Sequence, residues 1–246
     1  MQLNRKKPSL FPALVGLFLF CILFSAAYAS AQTKQAPWIS LFNGKDLTGW
    51  TIKGSTGKAW VQNGEIVCHQ VINTPEHTFI TTDATFSDLI LELDAKIDGD
   101  FNTGILLRAV DQPTESKLRL HAYQVKIDPT PRQWTGGVFD DFGPDWHWFY
   151  TLENDARART AFKIGEWNHF RIEAIGNRTK VWVNGIPTTN MINDKYSSGH
   201  IALKIHALGN KPEQEQILAH FKNIRIIDKD PALYAQEMDL PVRKVE

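Results

Sequence analysis

Between residues 89 and 97 the chain reads LILELDAKI, with Leu89, Leu91, Leu93, Ala95 and Ile97 on one face and Glu92, Asp94 and Lys96 on the other. That is the period of a half-buried strand. The same alternation runs through NTGILLRA, AYQVKID, HFRIEAIG, KVWVNG, HIALKIHALG and HFKNIRII. Turn signals separate the apolar runs at Asn63-Gly64, Gly176-Asn177 and Asn184-Gly185, where the residues tolerate the positive φ that a tight hairpin demands. Many short strands joined in this way predict an all-β sandwich or jelly roll. Helix is expected in two short pieces, one within 153–162 and one in DPALYAQEM near the C-terminus.

The first 31 residues follow another pattern. A basic cluster (Arg5, Lys6, Lys7) precedes an apolar run from Leu10 to Phe24, which ends in the small residues SAAYASAQ. This reads as a secretory signal peptide over 1–31, cleaved after Ala29 or Ala31. Its apolar run is shorter than the ~20 residues a membrane-spanning helix needs. A flexible leader (32–37), one domain (38–230) and a C-terminal tail (231–246) are expected to follow, in an exported protein, periplasmic or extracellular, with no stable membrane insertion after cleavage. The whole chain balances 27 basic against 27 acidic residues. Losing the three basic residues of the leader turns that balance acidic, so no basic field for nucleic acid remains. Of the two cysteines, Cys21 leaves with the signal and Cys68 stands alone. Stability must then come from the core, without an internal disulfide.

Strand parity gathers chemistry on one face. With Tyr123, Val125 and Ile127 inward, Gln124, Lys126 and Asp128 point outward; with Ile201, Leu203 and Ile205 inward, Lys204 and His206 do the same. Arg108 stands opposite Ile105 and Leu107 by the same count. The segment from Asp128 to Trp148 adds Trp134, Trp146 and His147 beside Asp140, Asp141 and Asp145, interrupted by glycines and prolines. It is expected to be a long irregular loop, and such loops are commonly functional. Indole faces suit the C–H face of a sugar ring and carboxylates suit its hydroxyls, so Trp134 or Trp146 is expected to touch a carbohydrate. Trp50, Trp60 and Trp167 are expected in the core, and His69, His77, His121, His169, His200 and His220 at the surface or in caps. No strong metal motif is present, and Asp140 and Asp141 are the carboxylates that a loop would offer to calcium or another divalent ion.

The ordered motifs SLFNGKDLTGW (40–50), AWVQNGEIVCH (59–69), FNTGILLRA (101–109), YQVKIDP (123–129), TGGVFD (135–140), GEWNHFRIEAIGNRTKVWVNGIP (165–187), SGHIALKIH (198–206) and FKNIRI (221–226) together resemble the 3-keto-disaccharide hydrolase domain family, from about Trp38 to Asp228. The resemblance implies a concanavalin A-like jelly roll of two antiparallel sheets, one curved into a groove, in exported proteins that act on carbohydrate. It also implies a chemistry. Oxidation of a sugar to its 3-ketone acidifies the C2 proton; a base removes it, the C1 substituent leaves, and hydration completes a net hydrolysis. Such a site needs a base, an oxyanion donor and an acid. Asp128, Asp140, Asp141 and His206 are the candidates for proton transfer, and Arg108, Lys126 and Lys204 for the oxyanion. Gln124, Lys126, Lys204, Trp134, Trp146 and His147 are the candidates for substrate contact. Gln124 stands where the family pattern has glutamate, and Lys126 and Lys204 where it has glutamine. Two readings stand: an enzyme cleaving 3-keto-glycosides, or a non-catalytic carbohydrate-binding module or lectin on the same scaffold.

Overall fold

The alternating segment 89–97 becomes strand β6 (Leu89–Ile97), at the centre of a nine-stranded sheet in a computed structural model that describes residues 36–113, 118–141 and 147–246. The expected signal peptide, most of the leader, and Asp145 and Trp146 lie outside the described residues. Numbering strands along the chain, β6 pairs with β11 (Asn168–Ile175) on one side and β15 (Leu218–Ile227) on the other. The sheet continues from β11 to β12 (Arg178–Val183), β13 (Ile186–Ile192) and β16 (Arg243–Lys244). From β15 it continues to β4 (Glu65–His69) and β3 (Lys58–Gln62), and β1 (Ile39–Ser40) also pairs with β15.

The second sheet has seven strands. In spatial order they are β10 (Trp148–Tyr150), β9 (Val138–Asp140), β8 (Leu118–Ile127), β7 (Thr103–Pro113), β14 (Gly199–Ile205), β5 (Thr78–Phe86) and β2 (Trp50–Gly54). Every pairing in it is antiparallel; in the first sheet β13 and β16 run parallel. The two sheets form a jelly-roll sandwich. The segment expected to be one irregular loop thus contributes two short strands, β9 and β10, to the second sheet.

The core is what the alternation predicts. Leu89, Leu91, Leu93, Ala95 and Ile97 are all fully buried, in one cluster with Ile105, Leu107, Tyr123, Val125, Ile127, Leu203 and Ile205. Burying a large aliphatic side chain stabilises by ~1.5–3 kcal/mol, so this packing, with Cys68 a buried free thiol among it, carries the fold. The turns at Asn63-Gly64 and Asn184-Gly185 place both residues of each pair at positive φ, as a type I′ hairpin requires. Trp50 is core at 6% exposed, but Trp60 on the outer strand β3 is 36% exposed, and Trp167 is half-buried beneath the Lys222 ammonium. Neither of the latter two joins the core cluster.

Both expected helical pieces are single turns, Ala156–Arg159, capped by the Asp155 side chain, and the 3-10 turn Pro231–Tyr234. A third turn, Pro212–Glu215, had no clear signal. The C-terminal segment is tied to the outer face of the nine-stranded sheet. Arg171 donates to the Tyr234 carbonyl at 2.8 Å, the Gln236 N–H donates to Glu173 at 2.9 Å, and Lys180 donates to the Gln236 carbonyl. Among the described residues no helix is long and apolar enough to cross a membrane.

Candidate functional site

The outer face of the seven-stranded sheet is organised in rows. One cross-strand row runs Lys53, Phe79, Lys204, Gly104, Lys126, from β2 to β8. The next runs Thr51, Thr81, Ala202, Leu106, Gln124, Phe139, Trp148, from β2 to β10. His77, His206, Asn102 and Asp128 each stand one residue beyond a strand end, in the parity of the lysines. Two lysines therefore flank a glycine, with an amide beside them. A Cβ on Gly104 would lie 2.4 Å from Gln124 Nε2, so the missing side chain is what lets the Gln124 amide lie across β7.

The two lysines are not equivalent. Lys204 Nζ donates to both Asp141 carboxylate oxygens at 3.0 and 2.9 Å and reaches Gln124 Oε1 at 3.4 Å. Lys126 Nζ donates to Asn102 Oδ1 at 2.5 Å and lies 5.5 Å from the Phe139 ring centre; among the described residues it has no carboxylate at ion-pair distance. Burial, followed by the repulsion of Lys204, holds the Lys126 amine down to about 7. Both lysines are almost fully buried, so these interactions act with little solvent screening.

At the strand ends the rings of His77 and His206 lie 4.5 Å apart. A carbonyl can only accept, so His206 Nδ1, 2.7 Å from the Ala207 oxygen, carries the proton and its Nε2 is an acceptor. The Ala207 N–H donates to His77 Nδ1 at 2.7 Å, which fixes the opposite tautomer on that ring. Burial first, then Lys204 and Lys126, depress His206 to about 3; burial first, then Lys204 and His206, push His77 well below the ordinary histidine range. His77, expected at the surface, is thus part of the site's floor. The sign of its effect is defined. Both folded values lie below the unfolded ~6.5, so the unfolded chain binds the extra protons as the pH falls. Their contribution to stability is full above ~6.5 and is lost as the pH falls below it, toward about 3 for His206 and beyond for His77. Thermal melts from pH 7 to pH 4 should show this loss, and His206→Gln should flatten it; an unchanged slope would assign the acid lability elsewhere.

An aromatic wall closes one side. Arg132 pairs with Asp128 at 2.6 Å, and its guanidinium sits 5.2 and 5.1 Å from the ring centres of Trp134 and Trp148. The two indoles meet edge to face at 4.9 Å. Trp134 and Trp148 are half-buried, and Trp134 also packs against the core. Asp128 itself is fully buried and accepts from Thr130 and Arg132, so it braces the β8–β9 connection.

Other candidates lie elsewhere. Arg108 is the extra residue of a β-bulge, at φ 51° between Leu107 and Val110, and a bulge reverses the parity that follows it. Its side chain is buried, donating to the carbonyls of Ser87, Gly176, Tyr196 and Ala174 and to the Asp88 carboxylate. Arg108 is a clasp between turns and is absent from the lysine face. Asp140 pairs in register with the core residue Tyr123; it accepts from Tyr196 at 2.6 Å and from Lys195, and His147 Nδ1 lies 3.5 Å away. Asp140 and His147 therefore form a second cluster with Lys195, and of the aspartate pair it is Asp141 that reaches Lys204 on the lysine face. The two adjacent carboxylates share no ion site, and among the described residues no group of three or more His, Cys, Asp or Glu is placed to hold a metal. Asn102 and Phe139, within the motifs FNTGILLRA and TGGVFD but not singled out there, and His77 and Arg132, outside every motif, are further site residues.

The sequence profile of the 3-keto-alpha-glucoside-1,2-lyase-like domain matches residues 37–227. The chain belongs to this family. A carbohydrate-related function follows for this lyase-like chain. Its fold is shared with a putative glycosyl hydrolase from Parabacteroides distasonis, at 20% identity and TM-score 0.57 over 78% of this chain and 94% of that one. It is also shared with the carbohydrate-binding module CBM66 from Bacillus subtilis, at 17% identity and TM-score 0.52 over 72% of this chain and 93% of that one. A third structure, the exoplasmic/lumenal domain of VIP36 in a Ca2+/Man-bound form, has 11% identity and TM-score 0.53 over 82% of this chain and 92% of that one. No curated protein matches the lyase-like chain in sequence.

Proposed function

We propose that this protein is an exported enzyme that cleaves 3-keto-glycosides, such as 3-keto-disaccharides, by removing the C2 proton and expelling the C1 substituent. The observation that carries the reading is the contrast across Gly104, between Lys204 ion-paired to Asp141 and Lys126, held down to about 7 with no carboxylate at ion-pair distance among the described residues. A general base works best with a pKa near the working pH, and a developing enolate needs a fixed donor. The neutral Lys126 amine takes the C2 proton, and the electron pair moves into the C3 ketone while Lys204 donates to its oxygen. The enolate then collapses: C3=O re-forms, a C1–C2 double bond forms, and the C1–O bond breaks. The departing oxygen takes its proton from the Lys126 ammonium. Water adding across the double bond completes a net hydrolysis. Trp134 and Trp148 offer the wall for the C–H face of the ring.

A second reading, a carbohydrate-binding module or lectin on the same scaffold, is favoured by the mutual satisfaction of Lys204, Asp141 and Gln124 and by the indole wall, neither of which requires a reaction. Purified protein incubated with a 3-keto-disaccharide and with its unoxidised counterpart distinguishes the two. Chromatography is expected to show monosaccharide released from the keto substrate alone. Release from neither, with measurable sugar binding, would transfer the assignment to the binding module.

A further inference from the structure

Gln70 stands one residue beyond β4, where Ile66 and Cys68 face the core. Parity turns it inward, and it is 1% exposed. Among the described residues, neither its Oε1 nor its Nε2 has a hydrogen-bond partner. A buried polar group left unpaired forfeits its hydration without recompense, and native structures keep few of them without a reason.

The reason is beside it. Gln70 lines a cavity of about 190 Å³ together with Asn102, Thr130, His206 and Gln214, several times the ~30 Å³ that a water occupies in the liquid. The loop behind it is clipped in place, with Asn73 and Thr74 donating to the carbonyls of Gly209 and Leu208. Three of the walls belong to the lysine site. Asn102 holds the Lys126 amine, Thr130 donates to Asp128, and His206 presents an acceptor at Nε2. The charged pair Lys204–Asp141 is not among the lining residues, and the charged residues that are, Asp100 and Lys211, are exposed.

We propose that this cavity is the subsite for the leaving-group sugar, and that the Gln70 amide reads two neighbouring hydroxyls of that sugar. A vicinal diol supplies one donor and one acceptor together, the complement of a carboxamide. The division of charge sets the direction: the ketone and its enolate need the lysines, and a neutral polyol suits amide, hydroxyl and imidazole groups. Asn102, shared by both, then places the glycosidic oxygen next to Lys126. This assignment rests on the reading of the lysine face as a keto-glycoside site.

The test compares a 3-keto-disaccharide with the methyl 3-keto-glycoside, which lacks the second ring. The parent is expected to favour the disaccharide. Gln70→Met should lower kcat/KM for the disaccharide roughly ten- to a hundredfold, as the loss of one or two hydrogen bonds implies, and leave the methyl glycoside unchanged. Its melting temperature should not fall, because the substitution removes an unpaired buried amide. Equal losses on both substrates would overturn the subsite. If the parent turns over neither, the keto-glycoside reading fails, and binding of the unoxidised leaving-group monosaccharide, followed by calorimetry, decides the subsite separately. Binding abolished by Gln70→Met and retained by Lys126→Met would uphold it; no binding, or binding indifferent to Gln70, would leave a cavity for water alone and overturn it.

Discussion

Arg108→Ala is expected to destabilise the protein by ~3–5 kcal/mol, because it removes a set of charged hydrogen bonds and leaves buried acceptors without a donor at ~1–3 kcal/mol each. At ~2–4 °C per kcal/mol for a domain of this size, the melting temperature should fall by roughly 6–20 °C. The guanidinium uses all five of its N–H donors, on four carbonyls and one carboxylate. Those acceptors come from the β5–β6 turn, the end of β11, the β11–β12 turn and the connection before β14. One side chain therefore ties four separate parts of the chain, and its loss leaves buried carbonyls without donors. Arg108→Lys should recover little, because an ammonium has three donors and no planar fork. A melting temperature for Arg108→Ala within about 2 °C of the parent would show that the clasp contributes little, against the cost expected for such a group.

The second large effect is expected at Lys126. Lys126→Met should lower turnover of a 3-keto-disaccharide by ~10²–10⁴-fold, the usual contribution of a general base. The pH profile gives the more specific readout. The neutral amine is the active form, and its pKa is held to about 7 by burial and by Lys204. The parent's kcat/KM should therefore rise with pH through about 7 and level off above it. That limb should vanish from the residual activity of Lys126→Met. A variant that keeps the limb would pass the role of base to another group, with His206 the next to test.

Much of this arrangement is readable in the sequence, because β-strand side chains alternate strictly. LILELDAKI gives its own buried face, and YQVKID and IALKIH place Gln124, Lys126 and Lys204 together without any structure. The adjacent Asp140 and Asp141 are not separated by the sequence, which reads their segment as a loop; only the short strand β9 puts them on opposite faces. Arg108 is where the rule fails. One extra residue in β7 shifts the count, and an arginine at positive φ announces no bulge, since that conformation is uncommon for it. The Trp60 and Trp167 positions fail for another reason: an indole on an outer strand or beneath a lysine chain has the same local pattern as one in the core. For Gln70 the sequence offers only its parity with Ile66 and Cys68. Its burial is set by strands distant in the chain, and an amide between a strand and a loop looks like any other polar residue.

The end of the chain bears on how the sandwich meets other copies of itself. The unsatisfied rim of a sheet invites a neighbour's strand to add on, and proteins deter this with short, charged outer strands. Here strand β13 is not left as the last one at Met191 and Ile192. The two-residue β16 lies along it, with Val245 N–H donating to the Ile192 carbonyl and Asn193 donating to the Val245 carbonyl. What the sheet presents next is Arg243 and Lys244, both exposed. At that end of the sheet the outermost described strand is thus short and basic, the kind that discourages strand-to-strand addition.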